Sequence, residues 1–555
     1  MSRHDAASPH AASALPGAAS PRAKRWRVAA ALTVGLSLVG SSLAPALHPD
    51  AGASAELAAA PAGTQRAVDN GVYGLGASAG TGGVGGAAQG SQQAAGATSS
   101  AGAESARGSQ AATKAASSTR IVVGARDRLT IIVNLKRAGG LAQADAIAKR
   151  HKASRTASWP SLAVAVYAMP AGASQSKANA LTKALRASSA VTSAGVSGVV
   201  SPQPAAVRVL SSSRRPAASV GAIATMARSV QANKISTGKG ITVGVADEGI
   251  FEENPAVKGK VNTKLGASCL TGGKLVSGAK QGRPTATDAG HGTAVANVIA
   301  GSASVGPSRG IAPGAKVASV RVVTAEGSIY AEASICAQQW ALKHRLPILN
   351  MSYGVDWAGT LVGGIWNPRN ADQAAVITAM KRSQAYAQKR GLLTVAAAGN
   401  DGADFSDKAN LEDADTGQSL SRSMVALPAE LPGVVVASMT KRDGKVDPWS
   451  TVGLGLVDVA SQGTAKLAYG RVSFETVTGT SFASPAVAGT AALLKAKNRK
   501  LTPTQIAAKL RTSATDRTCK NAGKIISGQP CRASKGLTNF FGYGTLNAEA
   551  ALKAR

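Results

Sequence analysis

The sequence predicts an α/β protein with a mostly parallel, doubly wound sheet, preceded by a small α+β domain. The sheet is predicted by short apolar runs in the second half of the chain, which alternate with stretches of helical spacing. Nearly uninterrupted apolar strands are typical of a parallel sheet that is covered by helices on both faces. Ligands of such sheets bind beyond the carboxyl ends of the strands. The predicted strands lie at 241–246, 315–323, 347–351, 392–397 and 434–439.

A second pattern, between residues 120 and 205, predicts the small domain. Strand-like alternation and helical spacing follow one another there in an order of the β-α-β-β-α-β type. Residues 206–235 form a basic joint rich in Ser, Pro and Ala, which we expect to be open to proteolysis. The large domain then occupies residues 236–555. In the small domain the strand-like segments are 129–135, 161–169 and 191–200, and the helical segments are 141–151 and 174–187.

The first 55 residues are interpreted as a signal peptide with a long basic amino-terminal region. A basic cluster at 22–27 precedes an uncharged run at 28–47 and small residues at 53–55. The alternative is a membrane anchor, because about 20 apolar residues can span a bilayer. Residues 56–119 are rich in Ala, Gly and Ser and are predicted to be a disordered linker. The protein is therefore expected to be secreted or extracytoplasmic, and to meet a membrane only through its signal segment.

The chain has 555 residues and a formal net charge of +33. Such basicity favours nonspecific attraction to nucleic acid or to anionic surfaces. No zinc finger, aromatic RNA-binding motif or Arg-rich block accompanies the charge, so we expect a solvated basic surface and no specific nucleic-acid partner. A basic protein that binds polyanions at the cell surface is an alternative interpretation that rests on the charge alone.

The four cysteines form no Cys-x-x-Cys pair, so the sequence does not favour a zinc site or thioredoxin-like chemistry. In an exported chain they are expected to form disulfides. Cys519 with Cys531 is the favoured pair because the loop between them is short and polar. Cys269 with Cys336 then follows by elimination.

Three polar residues, far apart in the chain, each lie at the border of a predicted element. Asp247 follows the run 241–246. His291 lies between two glycines, just before an apolar run with helical spacing. Ser481 opens an apolar helix, where its backbone N–H and the positive helix end can face an oxyanion; Pro485 is expected in the first turn, where proline is tolerated. Taken singly, Asp247 fits a loop carboxylate, His291 fits a histidine at a helix cap, and Ser481 fits a serine N-cap. Together they predict a nucleophile, its base and an orienting acid.

In the order Asp, His, Ser, these segments resemble the catalytic blocks of subtilisin-like serine proteases, the subtilases. That order differs from those of chymotrypsin-like enzymes and α/β-hydrolases. The matches run from about residue 238 to 551. The segments that carry the resemblance are DAGHGTAV (288–295), GIAPGA (310–315), NMSYG (350–354), AAAGN (396–400), GTSFASPAVAG (479–489) and FGYG (541–544).

The resemblance implies a secreted serine endopeptidase that hydrolyses peptide bonds through an acyl-enzyme and needs no cofactor for its chemistry. Asn400 matches the oxyanion-hole asparagine. Residues 120–205 resemble the family's propeptide, which implies an autoinhibited precursor that is cut within 206–235. A catalytically inactive fold that serves as a binding protein is the alternative, although the triad and Asn400 are all present. The residues implied to line the cleft and pair with extended polypeptide substrates are Ser352, Tyr353, Gly354, Ala397, Ala398 and Gly399.

Three departures or additions accompany the family pattern. Glu248 stands where the family usually has a small hydroxyl residue, which adds a carboxylate beside the triad. A Gly-rich insertion carries Trp357 and Trp366, which either extend the cleft or pack within a surface loop. Many subtilases bind calcium, and oxygen ligands suit that ion. The spacing of the acids at 401–415 fits no defined calcium loop. A structural calcium is therefore only possible, and no metal ligand is assigned. These acids are Asp401, Asp404, Asp407, Glu412, Asp413 and Asp415.

Overall fold

The computed structural model describes two large ordered parts of the chain, with short gaps in the second. The predicted linker at 56–119 and all of the predicted signal segment except 26–28 fall outside the described residues, as do residues 120–127 and 201–205 of the predicted small domain and residues 206–221 of the joint. The predictions made for those segments stay predictions. The described residues are 26–28, 128–200, 222–285, 290–305, 309–324, 327–355, 364–413 and 419–554.

The small domain is a four-stranded antiparallel sheet with two helices, in the strand order β3-β4-β2-β5. Strand β3 was missed in the sequence because its residues, SRTASW, lack apolar alternation; none of them is buried. Strand β2 lies at the centre and buries seven of its eight residues. The elements are β2 (Arg128–Leu135), α1 (Leu141–Arg150), β3 (Ser154–Trp159), β4 (Val164–Ala168), α2 (Gln175–Arg186) and β5 (Val191–Val200), and a short β1 (Trp26–Val28) pairs with β13 of the large domain.

The large domain is built on an eight-stranded sheet in the order β16-β15-β12-β10-β6-β9-β7-β8. Every neighbouring pair is parallel except β7 with β8 at one edge, which confirms the predicted mostly parallel sheet. The strands are β6 (Thr242–Asp247), β7 (Ala267–Thr271), β8 (Lys274–Ser277), β9 (Lys316–Arg321), β10 (Ile348–Met351), β12 (Leu393–Ala397), β15 (Val435–Thr440) and β16 (Val459–Gln462).

Helices cover both faces of this sheet, as the sequence predicts. Helices α5 and α8 pack on one face in a single apolar cluster with α9 and α10. Helices α6 and α7 cover the other face, and their apolar cluster continues into the core of the small domain. The helices are α3 (Ala222–Met226), α4 (Ser229–Ala232), α5 (His291–Ala300), α6 (Ala331–Lys343), α7 (Ala371–Lys389), α8 (Thr480–Lys497), α9 (Pro503–Thr512) and α10 (Ala548–Lys553).

Eight of the described strands form four two-stranded pairs outside the main sheet. The pairs are β13 (Leu411–Asp413) with β1, β11 (Ile365–Trp366) with β14 (Val425–Ala426), β17 (Thr464–Tyr469) with β18 (Ser473–Thr478), and β19 (Ala533–Ser534) with β20 (Leu537–Thr538). Among the described residues, none of the helices combines the length and the apolarity that crossing a bilayer requires.

Both predicted disulfides are present. Cys269 in β7 joins Cys336 in α6, and Cys519 joins Cys531 in the loops after α9. The first bridge connects residues that are 67 apart in sequence and lies in the core, whereas the second spans 12 residues. In the chain-entropy description a cross-link restricts the unfolded chain more strongly when it closes a longer loop.

Replacing Cys269 and Cys336 together by alanine should therefore destabilise the fold by about 4 kcal/mol, against about 3 kcal/mol for the matched pair Cys519→Ala and Cys531→Ala. The buried pair should lose more than loop entropy alone because two packed sulfur atoms are also removed. Urea unfolding of both double variants measures the difference. Equal midpoints for the two variants would contradict this ranking.

Candidate active site

Asp247 and His291 meet at the carboxyl edge of the sheet. Asp247 is the last residue of the central strand β6, and His291 is the first residue of α5. The His291 Nδ1–H donates to the Asp247 carboxylate, with both oxygens 3.0 Å away. Both side chains are at most 2% exposed. The predicted acid–imidazole pair is therefore formed in the structure.

Glycine beside the histidine permits this approach. A Cβ at Gly292 would lie only 2.2 Å from the carbonyl oxygen of Gly249. Only a residue without a side chain fits between α5 and the loop that follows Asp247.

Ser481 is the second residue of α8, a helix that is buried from Thr480 to Leu494. The Ser481 hydroxyl donates to the carbonyl oxygen of Ser352 at 3.2 Å. The ring of the next residue, Phe482, lies 5.4 Å from the imidazole of His291, centroid to centroid. The start of α8 therefore brings the serine to the same edge of the sheet as the Asp247–His291 pair.

Pro485 lies one turn further into α8 than the sequence analysis expected. The helix starts at Thr480, so the proline occupies its sixth position rather than the first turn. A proline there has no N–H for the carbonyl four residues earlier, which is that of Ser481. The Ser352 hydroxyl donates to this carbonyl at 2.9 Å instead.

Ser352 is fully buried and holds the first turns of α8, the helix that carries Ser481. Its hydroxyl accepts a hydrogen bond from Asn350 Nδ2 at 2.8 Å and contacts the Ser484 hydroxyl at 2.9 Å. The Ser352 side chain therefore connects the end of β10 to α8. The prediction that residue 352 borders the cleft and pairs with substrate stays a prediction.

Asn400 follows the end of β12 and is oriented by Thr480. Its Oδ1 accepts hydrogen bonds from the Thr480 backbone N–H at 2.9 Å and from the Thr480 hydroxyl at 3.1 Å. With the oxygen engaged in this way, the Nδ2 group is the hydrogen-bond donor of this amide. Gly399 beside it has a φ of +114°, in the region that favours glycine.

A pocket joins the serine and the asparagine. The predicted cleft residues Tyr353, Gly354, Ala397, Ala398 and Gly399 line it together with Asn400 and Ser481. The far wall, which the sequence analysis missed, comes from the segment around β14 and from Thr480. No motif marks the part of this wall at 426–429, whose lining side chains are apolar, whereas Thr480 lies within the quoted segment 479–489 but was not assigned to the cleft. The missed residues are Ala426, Leu427, Ala429 and Thr480.

The electrostatics of the site are dominated by two adjacent carboxylates. Burial lowers the pKa of His291, but the charge and hydrogen bond of Asp247, aided by the charge of Glu248, outweigh it, so the net pKa lies above 6.5. Burial and the neighbouring Asp247 charge raise the pKa of Glu248 from 4.5 to about 7. Glu248 Oε1 accepts a hydrogen bond from the Gly292 N–H at 3.4 Å. The glutamate and the imidazole therefore titrate as interacting groups.

The other sequence-based hypotheses concern residues outside the triad. Trp366 is fully buried and its Nε1–H donates to the Val355 carbonyl at 2.8 Å, so it packs in the core and does not cover the cleft. Trp357 lies outside the described residues.

The acidic segment 401–415 contains carboxylates that already have protein partners. Asp404 accepts from Asn539 Nδ2, Asp407 pairs with Arg532, and Asp401 accepts from the Thr451 hydroxyl. In the described part of the chain, no group of three or more acidic, His or Cys side chains is arranged to hold a metal ion. Asp415 and the side chain of Asp413 lie outside it. We therefore assign no calcium ligands.

Comparison with known sequences agrees with this geometry. Residues 238–544 match the family model described as the subtilase family, Peptidase_S8. The chain is 29% identical to Subtilisin BL of Lederbergia lenta over 323 residues, which cover 58% of this chain and 94% of that protein. It is also 29% identical over 323 residues to an alkaline protease of Shouchella clausii, covering 58% and 66% of the two chains.

Solved structures share the fold. The epidermin leader peptide processing protease EpiP of Staphylococcus aureus aligns with a TM-score of 0.58 at 18% identity, covering 77% of this chain and 98% of that one. Fervidolysin of Fervidobacterium pennivorans aligns with a TM-score of 0.53 at 19% identity, covering 79% and 62%. The family match extends over more than half of the chain and includes Asp247, His291 and Ser481. The chain therefore belongs to the subtilase family and is a subtilisin-like serine endopeptidase.

Proposed function

We propose that this chain is the autoinhibited precursor of a secreted endopeptidase whose catalytic triad is Asp247, His291 and Ser481. The observation that carries the proposal is the buried contact of His291 Nδ1 with Asp247 at 3.0 Å, formed beside the helix start that holds Ser481. Asp247 fixes the tautomer in which Nε2 is free of its proton and can act as a base.

The reaction follows from these roles. The Ser481 Oγ attacks a peptide carbonyl while His291 takes the hydroxyl proton, and the proton then passes to the leaving amine. Water, activated by the same imidazole, hydrolyses the acyl-enzyme and restores the serine. Asp247 stabilises the imidazolium cation in both steps. Each step uses protein groups and water, so no cofactor is needed.

The tetrahedral oxyanion is proposed to bind the Ser481 backbone N–H and the Asn400 side-chain amide. Ser481 lies in the first turn of α8, where the backbone N–H groups and the positive end of the helix dipole favour a negative charge. The hydrogen bonds of Thr480 to Asn400 Oδ1 hold the amide in one orientation. A donor fixed in advance stabilises the oxyanion without a reorganisation cost.

The substrate is proposed to be an extended polypeptide lying between residues 352–354 and 397–399. These two segments follow neighbouring parallel strands, β10 and β12, and leave the sheet at the pocket that contains Ser481. Small residues line the near side of the pocket, so substrate backbone can approach closely. Pairing through backbone groups predicts broad sequence preference.

The small domain is proposed to be the inhibitory propeptide. Its strand β5 packs on α7 and α6, and its central strand β2 packs on α7 and contacts α6 through the hydrogen bond from Thr130 to Glu332. Asn134 Nδ2 donates to the Ala375 carbonyl at 2.8 Å, and Arg382 donates to the Leu135 carbonyl at 2.9 Å. Arg186 forms an ion pair with Asp372. Signal removal after residue 55 and maturation within 206–235 complete the proposed pathway.

A fluorophosphonate probe tests the proposed nucleophile. The mature enzyme should be labelled covalently, and Ser481→Ala should lose all labelling and casein hydrolysis because the hydroxyl that the probe modifies is removed. Ser484→Ala, three residues further along the same helix, is the matched control and should keep its label. Labelling that survives Ser481→Ala would reject this serine as the nucleophile.

Glu248→Gln should shift the acidic limb of kcat/KM to lower pH. The His291 pKa is raised in part by Glu248, and the base is active only when neutral, so removing this charge keeps the imidazole neutral at lower pH. The shift should be a fraction of a pH unit to about one unit. Glu549→Gln removes a carboxylate near the opposite end of α8 and should leave the profile unchanged. A limb that stays in place in Glu248→Gln would contradict this coupling.

Propeptide affinity should fall as the pH rises, because Glu332 is buried at the interface. Its Oε1 accepts from the Thr130 hydroxyl at 2.7 Å, and burial raises its pKa above 4.5. A raised pKa in the complex means that binding is strongest with the carboxyl protonated and weakens as pH rises through that raised value.

Dissociation of the Ser481→Ala precursor, nicked by trypsin in the 206–221 joint, measures this effect between about pH 5 and 9. Glu332→Gln should flatten the pH dependence. Asp372→Asn, which removes a carboxylate paired with Arg186 at the same interface, should weaken binding and keep the slope. An unchanged slope in Glu332→Gln would show that another group titrates.

A further inference from the structure

A cavity of about 720 Å³ lies on the large domain, away from the triad. Pro347, just before β10, and Gly391, near the start of β12, line it. It therefore opens at the amino ends of the strands, whereas Asp247 and Asn400 lie at their carboxyl ends. Lys495, which also lines it, is 14 residues along α8 from Ser481, or about 21 Å at 1.5 Å per residue.

Five cationic side chains from three helix ends meet in this cavity, and its lining contains no carboxylate. None of the five takes part in an ion pair with any described residue. Like charges held together in this way repel one another, and a bound anion relieves the repulsion. The five are Lys343, Arg345, Lys389, Arg390 and Lys495.

The helix dipoles explain only part of this cluster. Lys343 and Lys389 lie in the last turns of α6 and α7, where a cation is favourable. Arg345 and Arg390 lie beyond the helix ends. Arg345 also adopts a left-handed φ of 52°, whereas the equivalent position after α7 is Gly391, with a φ of 88°. A glycine would hold this conformation at lower cost, by about 1 kcal/mol. The arginine is therefore not explained by helix termination.

We propose that this cavity binds a short chain of phosphate groups, as a ligand separate from the peptide substrate. Its volume falls within the range of about 300–1,000 Å³ that small-ligand sites occupy. Arginine guanidinium groups bind phosphate oxygens in pairs, and lysines add point charges. Several cations from separate helices suit an anion with several charged groups better than a single phosphate. Tyr386 also lines the cavity, and the Arg390 guanidinium carbon lies 6.0 Å from the centroid of its ring.

This site is independent of the propeptide. No residue of the small domain lines the cavity, although α7 also carries the Arg382 contact with that domain. The precursor and the mature enzyme should therefore bind the anion alike. Because only the folded protein presents the cluster, binding should raise the unfolding temperature.

Isothermal titration of the Ser481→Ala precursor with inorganic tripolyphosphate tests the proposal at fixed ionic strength. The pocket variant combines Lys343→Gln, Arg345→Gly, Lys389→Gln and Arg390→Gln. The control removes two lysines and two arginines elsewhere on the surface: Lys258→Gln, Lys274→Gln, Arg369→Gln and Arg422→Gln. The pocket variant and the control variant carry the same net charge. A difference between their affinities for tripolyphosphate therefore reports on the proposed site and not on the overall positive charge of the protein.

We expect saturable binding that weakens at least about tenfold in the pocket variant and less than about twofold in the control, with inorganic monophosphate binding at least about tenfold more weakly than tripolyphosphate. Arg345→Gly alone should weaken binding about threefold while preserving the helix end. This single variant keeps the test valid if the quadruple variant unfolds early. Equal losses in pocket and control variants, absence of saturation, or equal affinity for the two phosphates would overturn the proposal.

Discussion

The burial of α8 against the sheet is the constraint on which the rest of the structure depends. The helix is buried from Thr480 to Leu494 and packs on β10, β12, β15 and α5. Its first turn presents Ser481, and its last turn presents Lys495 to the basic cavity. Since a closely packed core resists small displacements, fixing this helix also fixes the distance between the serine and the ends of the neighbouring strands.

Much of the fold and most of the site could be predicted because their signals are local. Strands buried on both faces are recognised as apolar runs, and Asp247, His291 and Ser481 each lie next to such a boundary. Strand β3 was not predicted from the sequence because its pairing with β4 does not depend on apolar alternation. The position of Pro485 within α8 and the pocket wall at 426–429 were also missed in the sequence. Both depend on contacts between segments that are distant in sequence.

Ser352 illustrates why motif matching assigns position better than role. The segment 350–354 does end at the cleft, yet the Ser352 side chain faces α8 and replaces the hydrogen bond that Pro485 cannot make. Its carbonyl meanwhile accepts from the Ser481 hydroxyl. The predicted place of this segment at the cleft edge and the contact of the Ser352 side chain with α8 are separate features of one residue, and only the three-dimensional structure reveals the second.

Two carboxylates, one partly buried and one buried, show how position decides the sign of an electrostatic effect in a strongly basic chain. Glu248 lies beside the imidazole of His291, so its negative charge favours protonation of that imidazole. Glu332 faces the Thr130 hydroxyl across the domain interface, where its charge opposes docking and a higher pH favours release. Rising pH therefore acts in the same direction at both carboxylates. It removes the proton from the His291 imidazole, and it weakens the binding of the small domain, which is proposed to inhibit the active site. Under the proposed function, the chain gains catalytic competence and loses inhibition over the same rise in pH, although Glu248 and Glu332 lie on different elements and share no hydrogen-bond partner among the contacts described above.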